Sequence, residues 1–408
     1  ALGYEAMNAS NVEAGANHTI AIGTNSLNAI TSASGCVAIG YQAAQDLTTG
    51  TATVAIGKNA AANITTGQNN VIIGQDALAT ADGDENSNVA IGKQAMGSCS
   101  HDSVSSNVAI GTEALYGGGN IVRGNVAIGK GTLDGTGSNI IDYCVAIGWG
   151  ALGGSLTNNN SYQVAVGYNA LEYLTSGTYN TVVGSEAMKD MTTGDNNTAL
   201  GYKAGYAIAA GNNPDGNTFI GYRAGDSVTT GSYNTMIGIN TDTNAVGDSN
   251  ETAIGNGATG AGSNTVTLGN ADVTAYYLQG NSGTDLYLGC ANNTETTSNR
   301  IFFHKADNNL DDPDVVVDDE LIGGIFAYGH DGNSYESAAS IIFDVDGGAS
   351  DGDMPGRIEF HTTPADAVSL SERMRITEAG NVGIGVADPD NRLDVAVANN
   401  GFVAQFFN

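Results

Sequence analysis

Five histidines, four cysteines, one tryptophan and 43 acidic residues are the side chains of this 408-residue chain with most scope for chemistry. Cleavage of a glycan needs two carboxylates held about 5–10 Å apart across a cleft. With acids this abundant, two of them meet by chance, so their number alone points to nothing. A Ser-His-Asp constellation needs a positioned histidine. His18, His101, His304, His330 and His361 stand in no recognisable nucleophile context. No glycine-rich phrase reads as a phosphate loop running into a helix. The expectation is a chain without catalytic residues.

Metal chemistry has more raw material. Asp82-Gly83-Asp84-Glu85-Asn86, Asp311–Asp314 and the group Asp344, Asp346, Asp351 and Asp353 are oxygen-rich turns. None matches a calcium-loop template or the nonapeptide calcium roll. A structural calcium ion is compatible with them, but no site is assigned and no other cofactor is expected. The acid excess reads first as a solvated surface. Its net charge of −30 argues against nucleic acid or an anionic membrane as partner. Cys36 and Cys144 occupy the same repeat slot six repeats apart, roughly 29 Å at strand spacing, too far to bridge. Cys99 lies in a variable turn and Cys290 elsewhere, so free and mostly buried thiols are expected.

Aromatic side chains offer binding rather than catalysis. Trp149 stands directly after a recurring glycine, where Tyr4, Tyr41, Tyr168, Tyr202 and Tyr222 stand in other repeats. Lys58, Lys93 and Lys130 share that slot, so it faces water. Aromatics spaced along a rod could stack on sugar rings. The competing reading, packing into a groove between subunits, is the preferred one.

The element that positions these residues is a repeat. The phrase Asn-Val-Ala-Ile-Gly or a close variant returns every 17 to 20 residues, as at Asn88–Gly92, Asn107–Gly111 and Asn125–Gly129. Fixed-period self-similarity of this length means a solenoid. The large-small-large alternation before each glycine has the period of a strand with two different faces. Five-residue apolar runs closed by Gly leave no room for a helical stripe. The expected architecture is all-β: a parallel β-roll solenoid of about 16 coils, roughly 75–80 Å long at strand spacing.

On this reading Val and Ile enter the core and Ala forms a flat outer face. The core is then expected at Val37, Ile39 and Gly40, Val89, Ile91 and Gly92, and Val108, Ile110 and Gly111. Val126, Ile128 and Gly129, and Val145, Ile147 and Gly148, continue it. Glycine permits a corner that a β-carbon would obstruct. Leu or Met four places later (Leu78, Met96, Leu115, Leu152, Leu171, Met188) adds a core residue. The recurring Asn is expected to form a hydrogen-bonded ladder along the rod rather than a ligand site. One coil encloses a thin core and leaves the alanine face in water, so a homotrimer is expected to bury it.

The coils resemble the left-handed parallel β-roll of trimeric autotransporter adhesin heads, which carry NSVAIG-type repeats. The Val-Ala-Ile-Gly slot and the following Ala both match, over about Ala1–Val273. The resemblance implies the handedness and the trimer. The repeats here are longer, and only the 14 residues between Gly255 and Gly269 approach the adhesin coil.

Beyond Gly269 the period is lost, and the domains read as a repeat shaft (1–273), a neck (274–300), an antiparallel β knob (301–380) and a connector (381–408). The knob is read from short alternating runs at Ile301–His304, Ile322–Tyr328, Ile341–Val345, Arg357–His361 and Met374–Ile376, separated by Gly- and Asp-rich turns. Phrases here resemble bacteriophage tail fibres: VTLGNADVTAYYLQG (Val266–Gly280), LIGGIFAYGHDG (Leu321–Gly332), MPGRIEFHTTP (Met354–Pro364) and SERMRITEAGNVGIGVADPDNRLDVA (Ser371–Ala396). In such fibres they commonly precede an endosialidase-type intramolecular chaperone, of which these residues contain no sequence.

The function expected from these readings is structural and adhesive: a trimeric tail-fibre shaft and knob on the virion exterior. Its partners would be other tail or appendage proteins and a host cell-surface glycan or protein receptor, with no membrane insertion. The alternatives are a bacterial surface adhesin of the trimeric autotransporter kind and a glycan-depolymerising tailspike.

Overall fold

The computed structural model of the chain describes residues 1–8, 16–81, 83, 85–99, 103–117, 121–137, 139–157, 160–208, 213–273, 307–308, 313–314, 316–350 and 352–396. The expected neck, the run Ile301–His304, Cys290, His101 and the apolar run Phe402–Phe407 lie outside the described residues. Among the described residues every regular element is a strand. Two compact units divide the chain, Ala1–Tyr277 and Leu278–Asn408.

The first unit is the solenoid. Fifteen strands of three residues, from Ile20–Ile22 to Val266–Leu268, form one parallel sheet in which each pairs with the next repeat. The register is exact in the repeat's own terms: Val37 faces Val54, Ala38 faces Ala55 and Ile39 faces Ile56. Leu2 adds a single parallel bridge to Ile22. Three coils carry a second strand, Val104–Ser105, Val122–Arg123 and Ile141–Asp142, which build a smaller parallel sheet.

Left-handed backbone positions turn the chain at its corners. The repeat glycines sit at φ near +139°, as at Gly40, Gly92 and Gly111. A β-carbon on Gly111 would lie 2.3 Å from the carbonyl oxygen of Gly129 in the next coil, so the slot excludes every other residue. Four places on, Leu78, Met96, Leu115 and Met188 hold φ between 42° and 53°. Bulky residues seldom occupy this region, yet here it turns each side chain fully into the core.

The strand faces are the reverse of the sequence expectation. The middle residue points inward: Ala38, Ala90, Ala109, Ala127 and Ala146 are each 0% exposed. Val37, Ile39, Val89, Ile91, Val108, Val126, Val145 and Ile147 are half-buried, while Ile110 and Ile128 are exposed. These Val and Ile residues therefore are not the core of the single chain. The reason is width. A coil of 17 to 20 residues bent through several corners encloses a lumen in which a methyl group fits opposite Leu or Met. At the largest middle residue, Phe219, the facing slot shrinks. Phe219 is fully buried, and β-carbons at Gly205 and Gly225, which replace the usual Leu, would lie 2.7 and 2.4 Å from its ring. Volume is conserved across three coils.

The asparagine ladder is present. Asn107 Nδ2 donates to Asn88 Oδ1 (3.0 Å) and to the Val122 carbonyl (2.8 Å). Its own Oδ1 accepts from the Asn125 backbone N–H and side-chain amide, both at 3.0 Å. The run Asn70, Asn88, Asn107, Asn125 ends where Asn125 Oδ1 accepts the Cys144 N–H. A second run passes from Asn180 through Asn197, Asn217 and Asn234 to Glu251. All of these side chains are 0% exposed, so each amide satisfies backbone groups that water cannot reach.

The second unit contains a six-stranded sheet in chain order: Leu321–His330, Tyr335–Val345, Gly356–Thr362, Ser371–Ile376, Val382–Ile384 and Leu393–Val395. The first five are antiparallel neighbours, and the last pairs parallel to Val382–Ile384. Four of the five expected runs lie within these strands. The sheet extends past residue 380, so part of the expected connector belongs to the knob.

Candidate functional site

Three surfaces have the makings of a site: the outer strand face of the solenoid, its aromatic rows, and the charged face of the knob sheet. On each solenoid strand the first and third side chains project to the same side. The outward rows are Val, Thr or, once, Ile on one edge and Ile, Leu or Val on the other. In the single chain Ile128 is 36%, Ile254 39% and Leu200 50% exposed. Fifteen rungs at about 4.8 Å make a strip about 70 Å long and about 10 Å wide, apolar on both edges from Ile20–Ile22 to Val164–Val166, about 400 Å². Monomers rarely expose more than a few hundred Å² of contiguous apolar surface. From Thr181 to Thr252 one row is threonine, so the strip becomes half polar.

The expected aromatic slot does face water: Tyr41, Trp149, Tyr168, Tyr202 and Tyr222 are all exposed. Much of their ring surface is already engaged along the rod. Trp149 meets Tyr168 edge to face with centroids 5.9 Å apart, and Lys130 lies 5.5 Å from the indole centroid. Tyr202 and Tyr222 stack at 5.4 Å, and Lys203 sits over Tyr202.

A second aromatic row escaped the sequence reading. Tyr143, Tyr162 and Tyr179 stack with centroids 5.6 and 5.2 Å apart. Each stands one place before the ladder residue (Cys144, Gln163, Asn180) at φ near 60°. Aligning the repeats on that slot would have revealed the row. The Tyr143 ring covers Gly124, where a β-carbon would come within 2.8 Å of it. Beside the row, Arg123 and Asp142 pair at 2.8 Å.

In the knob, Arg357 is nearly buried and is held by Glu359 (2.6 Å), Asp319 (2.8 Å), Asp344 (3.2 Å) and Asp346 (3.4 Å). Glu359 also accepts from Arg375 (3.0 Å) and contacts His361 Nε2 (2.9 Å). Burial alone would raise the Glu359 carboxyl, but hydrogen bonds from His361 and Arg357 and the two guanidinium charges hold it below the usual range. Burial, then the charge of Glu359, pushes Asp344 up despite Arg357. Its Oδ1 is buried without a hydrogen-bond partner. Asp344 and Asp346 thus turn to an arginine, and among the described residues no His, Cys, Asp or Glu cluster has metal-ligand geometry. On the other face Ile325, Ala327, Ala339, Ile341 and Phe360 line an apolar depression of about 310 Å³.

The other reactive side chains are inert or dispersed. Cys36, Cys99 and Cys144 are buried free thiols. Burial pushes Cys99 and Cys144 up to about 12, so neither offers a thiolate at neutral pH. His18 is exposed, and His330 accepts the Gly332 N–H and meets Tyr335 edge-on.

No protein-family model matches the chain, and no curated protein matches it. Among solved structures, the carboxy-terminal domain of the bacteriophage T5 L-shaped tail fibre matches over 30% of this chain and 49% of that one. The identity is 18% and the TM-score 0.24. The chain thus spans about half of that domain.

Proposed function

We propose that the chain is a non-catalytic fibre shaft and knob, acting as a homotrimer on the outside of a phage tail and holding or forming a contact with a host-surface receptor. The observation that carries this reading is the continuous outward strip of Val, Thr and Ile along fifteen rungs. A spacer needs only length, stiffness and a way to assemble, and the strip supplies the last. Packed against copies of itself it removes an apolar area that water would otherwise face. The alanine face of the sequence argument closes the coil instead, and in this reading Val with Ile joins the subunits. The phrases from Val266 to Ala396 favour a phage fibre over a bacterial surface adhesin.

Light scattering of the purified chain at micromolar concentration tests the assembly. Three times the 41.3 kDa chain mass is expected; a monomer overturns the reading. Incubation with host capsule preparations tests the absence of catalysis. A fall in viscosity would establish a depolymerising tailspike instead.

A further inference from the structure

The six-stranded sheet of the knob is buried the wrong way round. On one face the charged side chains Asp344, Arg357 and Glu359 are buried, tied together by their own ion pairs. On the other face an apolar row crosses the whole sheet, one residue from each strand. Ile325 pairs with Ile341, Ile341 with Phe360, Phe360 with Met374, Met374 with Ile384 and Ile384 with Val395. Cross-strand partners share a face. The neighbouring rung runs from Phe343 through Ile358, Ile376 and Val382 to Leu393 and is apolar throughout. None of these side chains is buried, and Ile325, Ile384 and Leu393 are 54%, 41% and 50% exposed. A sheet hides its apolar face against another layer, and among the described residues no such layer hides this one.

The two rungs span six strands at about 4.8 Å and two same-face residues at about 6.8 Å each, an apolar face of about 400 Å². A contiguous apolar patch of that size is often a binding surface. Its chemistry selects the partner. Neither rung carries a charge or a hydrogen-bonding side chain, so an acidic, basic or glycan surface would lose its water here without compensation. The covering surface must be as apolar as the face itself. A stable contact buries about 800 Å² per partner, twice what this face offers. The solenoid strip of the same chain supplies about 400 Å² more. Copies of this chain bring both surfaces at once, whereas an unrelated partner would have to match each. The small side chains of Ala327 and Ala339 leave the depression of about 310 Å³ beside Ile325 and Phe360, a socket for a large apolar side chain of the copy.

We propose that the apolar face of the knob sheet is a second self-association surface, on which the same face of another copy of this chain packs. It deepens the homotrimer reading above and rests on it. Association through this face leaves the opposite face, with Arg357 and Glu359, turned away from the contact.

The test is photo-cross-linking of the intact chain, at micromolar concentration, with p-benzoylphenylalanine in place of Phe360. Irradiation should give a covalent dimer on a denaturing gel. Mass spectrometry should map its adduct to the same face of the second chain, at Ile341, Met374 or Ile384. An adduct to residues 397–408, of either chain, overturns the proposal in favour of the apolar run Phe402–Phe407 as the cover. An adduct confined to its own chain, or none, overturns it outright. Met374→Glu places a charge in the contact, and should abolish the chain-to-chain adduct and speed amide exchange over Ser371–Ile376 at least tenfold. Unchanged cross-linking and exchange would mean that position 374 faces water, and would overturn the proposal as well. Light scattering on the same samples reads assembly through the solenoid separately. A trimer without knob adducts refutes this surface and leaves the fibre reading intact, while a monomer refutes both.

Discussion

Replacing Asn107 by Ala removes one rung of the ladder and should cost about 4 kcal/mol. The side chain is fully buried and takes part in four hydrogen bonds: two donated, to Asn88 Oδ1 and the Val122 carbonyl, and two accepted from Asn125. A net contribution of about 1 kcal/mol each gives the total. The β-methyl of Ala leaves the Asn125 N–H and the Val122 carbonyl stranded in a core where water does not reach them. Asn107→Thr is the informative partner. Thr53 occupies this slot naturally, is buried, and its hydroxyl donates to Gly67 O at 3.3 Å. Thr at 107 should therefore recover roughly half of the loss, about 2 kcal/mol. Urea unfolding followed by circular dichroism measures both, with chain concentration fixed because assembly is linked to folding. Stacked coils can unfold in segments, so equal m-values for the two variants and the parent are the condition for comparing them. A cost below about 1 kcal/mol for Ala, or no difference between Ala and Thr, would refute the claim that the amide satisfies buried backbone groups.

Gly111→Ala places a β-carbon 2.3 Å from Gly129 O at φ +139°, and should shorten the protease-resistant solenoid at that coil, as limited proteolysis with mass spectrometry would show. Ile128→Asp puts a charge on the outward strip, where Ile128 is 36% exposed in the single chain. It should leave the circular dichroism of the coil unchanged while lowering the mass seen by light scattering. Phe219→Ala opens a cavity between Gly205 and Gly225 and should cost about 3–5 kcal/mol in the same urea assay. In the knob, the Glu359 carboxyl is held below its usual range, so its stabilising effect is present above the ordinary carboxyl value and is lost as pH falls below it. Asp344, pushed up by burial, works in the opposite sense. Hydrogen-exchange protection of Gly356–Thr362 should therefore drop below about pH 4.3, the ordinary glutamate value, and Glu359→Gln should flatten that limb.

Much of the architecture was legible because a repeat states its own register. The spacing of Gly40, Gly57 and Gly74 implies stacked coils, and the asparagine slot implies a ladder, since identical residues one coil apart must meet. The knob runs Ile341–Val345 and Arg357–His361, which fall within the strands Tyr335–Val345 and Gly356–Thr362, followed from alternation and turn residues. The candidate site was less legible. Trp149, Tyr168, Tyr202 and Tyr222 are exposed in the single chain, and their edge and stacking contacts depend on side-chain direction between neighbouring rungs. Tyr143, Tyr162 and Tyr179 went unseen because they lie outside the conspicuous phrase. Arg357 and Glu359 gave no signal at all, because their network assembles from three strands and two loops.

The repeat period by itself determined that the chain is a β-solenoid, where its coils begin, and which residues stack on which. Only the tertiary structure decided which way the strands face. Val-Ala-Ile has the same alternation whether its large residues point in or out, and periodicity carries no sign. The sign comes from the width of the coil: left-handed turns at Met96, Leu115 and Leu152 drive long side chains into the lumen, and the space left beneath most strands holds an alanine methyl group. Val and Ile are thereby left on the outside, available for assembly with other copies.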